Sequence, residues 1–83
     1  MNLVVLTPEK EIFAGQIKAV QVPGTTGRFE ILKGHAAIVS SLGEGNIAIT
    51  DEKGLKINYS IEKGFIEVLN DEVSLLVQGL QEL

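Results

Sequence analysis

The sequence predicts an all-β domain, a compact two-sheet β-sandwich or flattened barrel of about nine to ten short strands. Nine glycines and two prolines interrupt the 83 residues at short intervals. The segments between them are rich in Val, Ile, Leu and Phe but too short for ordinary helices. Several segments also alternate apolar and polar residues, which is the period of a strand with one buried face. A chain of 83 residues is long enough for one domain only, so a single domain over residues 1–83 is predicted.

The clearest alternation lies at residues 55–62. Its four apolar residues are predicted to face the core: Leu55, Ile57, Tyr59 and Ile61. Residues 51–54 precede it and are predicted to form a turn with Gly54 at positive φ. Because residues 46–50 alternate as well, the two segments are predicted to pair as a hairpin.

A second hairpin is predicted at the end of the chain, with strands at 65–69 and 72–78 and a turn at residues 70 and 71. Val73, Leu75 and Val77 share one face of its last strand. Leu76 lies on the other face, so an apolar side chain is expected on the side that faces water.

In the first half of the chain, strands are predicted near residues 2–6, 11–14, 16–22, 28–32 and 36–40. Residues 7–10 are interpreted as a turn. Pro23 lacks a backbone donor and is expected to end its strand or to lie on an edge. Residues 77–83 are the weak candidate for a helix, and Gly79 argues against it.

Composition excludes several classes of function. Seven Lys and Arg against eleven Asp and Glu give a net charge of −4, which disfavours nucleic acid binding. The absence of cysteine excludes disulfides, thiolate metal sites and cysteine nucleophiles. The longest apolar run, residues 3–6, is far shorter than the roughly 20 residues of a spanning helix. A cytosolic chain, or one attached to a membrane only through partners, is expected.

No catalytic, cofactor or metal residue is predicted. His35 is the single histidine, and it is expected to be a hydrogen-bonded structural residue. The serines lack a nucleophile-elbow pattern. Residues 24–27 read Gly-Thr-Thr-Gly, but they lack the Lys-Ser ending of a nucleotide loop, so a structural turn is predicted.

One region departs from the simple pattern, because residues 35–42 carry no formal charge and Ala36 and Ala37 precede Ile38 and Val39. Residue patterns alone favour a central strand covered on both faces. The alternative interpretation is a docking surface for another protein.

The order of motifs resembles the N-terminal β domain of the epsilon subunit of F-type ATP synthase. The resemblance lies in LTPEKEIFAG at 6–15, VQVPGTTG at 20–27, FEILKGHA at 29–36, GFIEV at 64–68 and VSLLV at 73–77. Arg28 and Glu30 stand where the family usually has an acidic residue and a glycine. Lys33 and Ala37 stand where it commonly has prolines. These changes alter the charge of a segment that the family places on the membrane ring.

The resemblance implies a non-catalytic rotor subunit of a proton-translocating ATP synthase, bound to the gamma subunit and resting on the c-ring. It would couple ion flow to ATP synthesis at the cytoplasmic face of the bacterial inner membrane, without lipid insertion. The usual subunit continues into two C-terminal helices that can bind nucleotide or stall ATP hydrolysis. Here the expectation is a short form, without a bound nucleotide and without helix-mediated inhibition.

The loop predicted at 28–35 is assigned to the ring side or to the junction between the ring and gamma, and Leu76 and segment 36–42 are candidates for the gamma side. The candidate interface residues are Arg28, Phe29, Glu30, Ile31, Leu32, Lys33, Gly34, His35, Ala36, Ile38, Leu42 and Leu76.

The alternative hypothesis is a free-standing β-sandwich module that binds a ligand or carbohydrate. Such modules usually present aromatic platforms. The chain has no tryptophan, three phenylalanines and one tyrosine, and that tyrosine is predicted on the core face, so this alternative is disfavoured.

Overall fold

A computed structural model describes all 83 residues, which form nine β-strands and no helix. The all-β prediction is therefore confirmed, and no helix capable of crossing a membrane is present. The strands are β1 (Asn2–Leu6), β2 (Glu11–Gly24), β3 (Gly27–Leu32), β4 (Ile38–Leu42), β5 (Gly45–Asp51), β6 (Lys56–Ile61), β7 (Lys63–Leu69), β8 (Glu72–Gln78) and β9 (Gln81–Glu82).

The long strand β2 belongs to both layers of the sandwich. Its first part pairs with β1, which continues through β8 and β7 to β4. Its second part lies between β3 and β5, and β5 continues to β6 and β9. A single residue pair between Gly24 and Leu42 joins β2 to β4. This pair closes the first layer into a circuit, as in a flattened barrel.

The prediction of separate strands at 11–14 and 16–22 is wrong, because β2 runs without a break through Gly15. The register between β2 and β5 shifts between Ile17 and Ala19. A bulge of this kind bends a strand and increases its twist. It lies where β2 passes from the β1 layer to the β5 layer, so one continuous strand can serve both.

Sixteen buried hydrophobic side chains fill the space between the layers, and no polar or charged residue is buried. Inward-facing positions of β1, β2, β5, β7 and β8 supply most of them. The fully buried large side chains are Leu3, Val5, Ile17, Val20, Val22, Ile31, Ile47, Ile49, Ile61, Ile66, Val68 and Leu75.

Both predicted hairpins are confirmed. Gly54 has a φ of 86° in the first turn, as expected. In the second turn Asn70 and Asp71 have φ values of 50° and 61°. Positive φ at both central residues is the type I′ geometry, which matches the twist of the paired strands.

One of the four predicted core residues of the first hairpin is wrong. Leu55 is 63% exposed, whereas Tyr59 and Ile61 are buried and Ile57 is partly buried against the core. Leu55 lies before β6 begins, and its N–H donates to the Asp51 carboxylate at 2.9 Å. It therefore belongs to the turn, and the alternating pattern extends one position beyond the strand.

The predictions for the remaining segments have mixed outcomes. The strand predicted at 36–40 begins at Ile38. Val39 and Ser41 of β4 are exposed, so the interpretation of a central strand covered on both faces is wrong. Pro23 lies one residue before the end of β2, close to the expected strand end. Residues 77–83 contain no helix. Gly79 has a φ of 69°, and β9 follows it.

Candidate interaction surfaces

The outward side of the layer formed by β4, β7 and β8 carries a group of exposed apolar side chains around Glu67. Four of the seven large hydrophobic side chains exposed in the structure lie there. We call this surface the apolar face and define it by Val39, Phe65, Leu69 and Leu76. Their exposed fractions range from 52% to 70%. Several exposed apolar side chains on one face of a small domain are typical of an interaction surface.

Strand register explains why these side chains meet. Phe65 lies opposite Ser41 on β4 and opposite Leu76 on β8. Leu76 in turn lies opposite Leu6 on β1. Side chains on one face of neighbouring strands are in contact range at such pairs, so an apolar row crosses the layer from Phe65 to Leu6. The predicted exposure of Leu76 is confirmed.

A shallow groove of about 620 Å³ opens at one end of the apolar face. Leu6, Pro8, Phe65 and Leu76 supply apolar walls, and Lys63 lies at its margin. The turn that carries Pro8 is closed by Thr7, whose N–H donates to the Lys10 carbonyl at 2.9 Å. This groove extends the apolar face beyond the strands that form it.

The outward side of the other layer carries polar side chains, and hydrogen bonds between them connect neighbouring strands. Lys56 Nζ donates to Thr50 Oγ1 at 2.8 Å, between paired positions of β5 and β6. Gln21 Nε2 donates to Glu30 Oε2 at 3.3 Å, between β2 and β3. Asn58 is exposed beside them. We call this surface the polar face.

The β3–β4 loop, residues 33–37, lies at one end of the sandwich. His35 N donates to the Leu32 carbonyl at 3.0 Å, which closes a turn with Gly34 at a φ of 82°. Gly34 N donates to Asp71 Oδ1 at 2.7 Å, which connects the loop to the β7–β8 turn. The β7–β8 turn therefore belongs to the same end of the molecule as the β3–β4 loop.

The hydrogen bond expected for His35 is present, and its structural role stays a prediction. Its Nδ1 lies 2.7 Å from the Ala36 carbonyl oxygen, and the side chain is half-buried. No group of three or more His, Cys, Asp or Glu side chains is arranged to hold a metal ion.

The predicted interface residues do not form one surface. Ile31 is fully buried and Leu42 is 3% exposed, so both are core residues and including them was wrong. Phe29 and Ile38 are half-buried and pack against the core. The assignment of Ile31 and Leu42 overlooked that alternate positions of a strand face inward.

The remaining candidates divide between the two layers. Segment 28–35 is a strand followed by a turn, not a single loop. Arg28 lies near the start of β3, where its guanidinium Nη1 donates to the Asn46 carbonyl. Leu32, Lys33, Gly34 and Ala36 are exposed at the other end of that strand, and Glu30 lies on the polar face. Leu76 belongs to the apolar face.

Sequence reasoning missed two residues of the apolar face, Phe65 and Leu69, and it covered Val39 only as part of segment 36–42. A signal was present for Phe65 and Leu69. In β7 the charged Glu67 alternates with buried Ile66 and Val68, so the residues two before and two after Glu67 share its outward face. For Val39 the neighbouring sequence contains no charged residue that would identify the outward side.

Tyr59, the single tyrosine, belongs to the hydrophobic core and is not available to a partner. It is 5% exposed. Burial raises the pKa of its phenol above the ordinary value of 10.0, and the nearby Glu82 carboxylate adds to the increase. Because a sugar-binding platform needs an exposed aromatic ring, Tyr59 cannot serve as one.

Comparison with known proteins identifies the family. Residues 1–82 match the sequence model of the ATP synthase delta/epsilon chain, β-sandwich domain. The chain belongs to this family. The suggested resemblance to the epsilon subunit is therefore confirmed, and so is the β-sandwich architecture.

Three bacterial relatives show how much of an epsilon chain is matched. The ATP synthase epsilon chain of Leptospira borgpetersenii serovar Hardjo-bovis (strain JB197) is 43% identical over 76 residues, covering 92% of this chain and 59% of the relative. That of Campylobacter hominis is 42% identical over 78 residues, covering 93% and 60%. That of Chlorobium limicola is 34% identical over 79 residues, covering 95% and 90%. The chain spans about 60% of the first two relatives.

Two solved structures share the fold. A chain in the Euglena gracilis mitochondrial ATP synthase structure, which comprises OSCP, F1 and the c-ring, superposes with a TM-score of 0.90 at 23% identity, covering 96% of this chain and 51% of that one. A chain in the Tetrahymena thermophila mitochondrial ATP synthase central stalk and c-ring superposes with a TM-score of 0.83 at 16% identity, covering 98% and 65%. These likenesses establish the β-sandwich fold.

Proposed function

We propose that the chain is the β-sandwich part of a non-catalytic rotor subunit that connects the central stalk of ATP synthase to its membrane ring. The observation that carries this proposal is the apolar face, which leaves Val39, Phe65 and Leu76 exposed in a domain of the epsilon family. Apolar and aromatic side chains of this kind form the centres of protein–protein interfaces. The partners are the gamma subunit and the c-ring.

The shape of the domain supports two separate contacts. The apolar face lies along the side of the sandwich, where an elongated stalk subunit can pack against it. The β3–β4 loop lies at one end, next to the β7–β8 turn. We assign the apolar face to the gamma subunit and this end to the c-ring. With both contacts made, the domain turns with the stalk and the ring, so that ion flow is coupled to ATP synthesis.

The proposed location follows from these partners. The domain sits at the cytoplasmic face of a bacterial inner membrane and is attached through the gamma subunit and the ring, without inserting into lipid. A ligand-binding or carbohydrate-binding module has weaker support, because the single tyrosine is buried and there is no tryptophan.

Reconstitution tests the proposal. The 83-residue chain is added to the cognate ATP synthase head complex that contains gamma but no epsilon. Binding is measured by gel filtration, and ATP hydrolysis is measured separately. We expect stable binding with little inhibition, since the chain contains no helix that could extend into the head. Failure to bind, or strong inhibition that ATP relieves, would contradict the proposal.

Nucleotide binding is tested on the chain alone. We expect the melting temperature to stay unchanged in millimolar ATP. A nucleotide that bound the folded state would raise the melting temperature. An increase of several degrees would show a nucleotide site in this domain.

A further inference from the structure

A hydrogen bond connects two segments that are far apart in sequence. Gly34 N, in the β3–β4 loop, donates to Oδ1 of Asp71, in the β7–β8 turn, at 2.7 Å. The two residues are 37 positions apart. Hydrogen bonds to an ionised carboxylate are shorter and roughly twice as strong as neutral ones. This contact can therefore hold the loop against the neighbouring hairpin.

On the loop side, the bond uses a donor that the local turn leaves free. The turn is closed by His35 N, which donates to the Leu32 carbonyl at 3.0 Å. With a φ of 82°, Gly34 has the positive φ that the third residue of a type II turn requires. Residues 33–37 belong to no strand, so no ladder of hydrogen bonds fixes their position.

On the hairpin side, the backbone that carries the acceptor is held by a tight turn and by β1. Asp71 has a φ of 61° in the two-residue turn between β7 and β8. Its backbone carbonyl accepts a hydrogen bond from Asn2 N at 2.9 Å, where β1 begins. The adjacent Glu72 carboxylate accepts one from Asn2 Nδ2 at 3.0 Å. Strands β1, β7 and β8 thus hold the backbone from which the Asp71 carboxylate extends.

We propose that Asp71 is a positioning residue, which holds the β3–β4 loop in the conformation that docks on the membrane ring. The proposal rests on the proposed function, in which this loop meets the c-ring. Leu32 is 52% exposed and Lys33 is exposed beside it. A loop that is already ordered loses less conformational entropy on binding, which increases affinity.

Three substitutions separate the carboxylate from the turn that carries it. Asp71→Gly removes the acceptor, and glycine adopts the positive φ without strain. Asp71→Asn removes the charge but keeps a side-chain oxygen acceptor and also tolerates positive φ. Asn70→Gly is the matched control, because it changes the neighbouring position of the same turn and leaves the Asp71 carboxylate in place.

The first measurement is the rate at which the Gly34 amide exchanges with water, determined by NMR on each full 83-residue chain. Asp71→Gly is expected to increase this rate by about tenfold or more, since the lost bond is charge-assisted. Asn70→Gly is expected to keep the wild-type rate, and Asp71→Asn to fall between the two. An unchanged rate in Asp71→Gly overturns the proposal.

The second measurement is the affinity of each variant for a purified complex of the gamma subunit and the c-ring. Asp71→Gly is expected to bind about threefold or more weakly, because fewer molecules have the competent loop. Asn70→Gly is expected to match the wild type. If the wild type binds and Asp71→Gly binds equally well despite faster exchange, the positioning role is overturned. If the wild type does not bind, the proposed function itself fails, and the exchange rates still decide whether Asp71 holds the loop.

Discussion

The two outward faces of the sandwich differ in a way that strand geometry alone does not require. On the polar face, exposed positions carry Lys56, Asn58 and Gln21, and Lys56 and Gln21 donate hydrogen bonds within the face. On the apolar face, Phe65 and Leu76 occupy equivalent outward positions and are more than half exposed. Both layers bury their inner sides in one core. Large exposed hydrophobic side chains are therefore concentrated on the outward side of one layer, and the proposed assignment to a partner rests on that difference.

Two adjacent leucines of β8 distinguish the contribution of the core from that of the apolar face. Leu75 is fully buried and Leu76 is 52% exposed, in adjacent positions of β8. Leu75→Ala is expected to lower the free energy of unfolding by about 2–5 kcal/mol. Leu76→Ala is expected to change it by less than about 1 kcal/mol, because it leaves no cavity. Urea unfolding of both variants measures the difference, and equal losses would show that Leu76 contributes to folding.

A second pair tests how tightly β7 and β8 pack beneath the apolar face. A Cβ on Gly64 would lie 2.5 Å from the Leu76 carbonyl oxygen and 2.9 Å from a Val77 methyl carbon. Gly64→Ala is therefore expected to destabilise the domain by about 1–3 kcal/mol. Gly15→Ala is the control, because its Cβ would meet only the Phe13 ring at 3.7 Å. Thermal unfolding in which both variants lose similar stability would contradict this packing.

A smaller change in the free energy of unfolding is expected at high pH, and it comes from Tyr59 in β6. Burial, together with the Glu82 carboxylate, raises the pKa of Tyr59 above 10.0, so the folded chain keeps this proton when the unfolded chain has lost it. Stability is then expected to fall as the pH rises above about 10. Tyr59→Phe should remove this part of the decrease. Urea unfolding from pH 8 to pH 11 compares the two chains, and identical pH profiles would contradict the assignment.

The sequence predicted the parts of the fold that depend on local pattern. Period-two alternation located both hairpins, and it correctly predicted that Leu76 is exposed. The same pattern was wrong for Leu55, because the side chain of Asp51 bonds the Leu55 N–H and keeps that residue in the turn. Alternation describes which side a residue takes once it is in a strand, but it does not determine where the strand begins.

The sequence pattern did not predict which strands far apart in the chain pair with each other. The passage of β2 between layers depends on a bulge near Ile17, which its neighbours in sequence do not indicate. The contact between Gly34 and Asp71 joins segments brought together by the pairing of β4 with β7. Burial of Ile31 and Leu42 likewise depends on which layer covers them. For these reasons the candidate surface was predicted only in part.

The most direct test of the account compares one charged substitution on each face. Leu76→Glu and Asn58→Glu are made in the full chain, and unfolding midpoints are checked first. Affinity is then measured for the gamma-containing head complex that lacks epsilon. Leu76→Glu is expected to weaken binding by about tenfold or more, since it places a charge in an apolar interface, while Asn58→Glu should leave it unchanged. Equal affinities for the two variants, or a greater loss for Asn58→Glu, would contradict the assignment of the apolar face to the stalk.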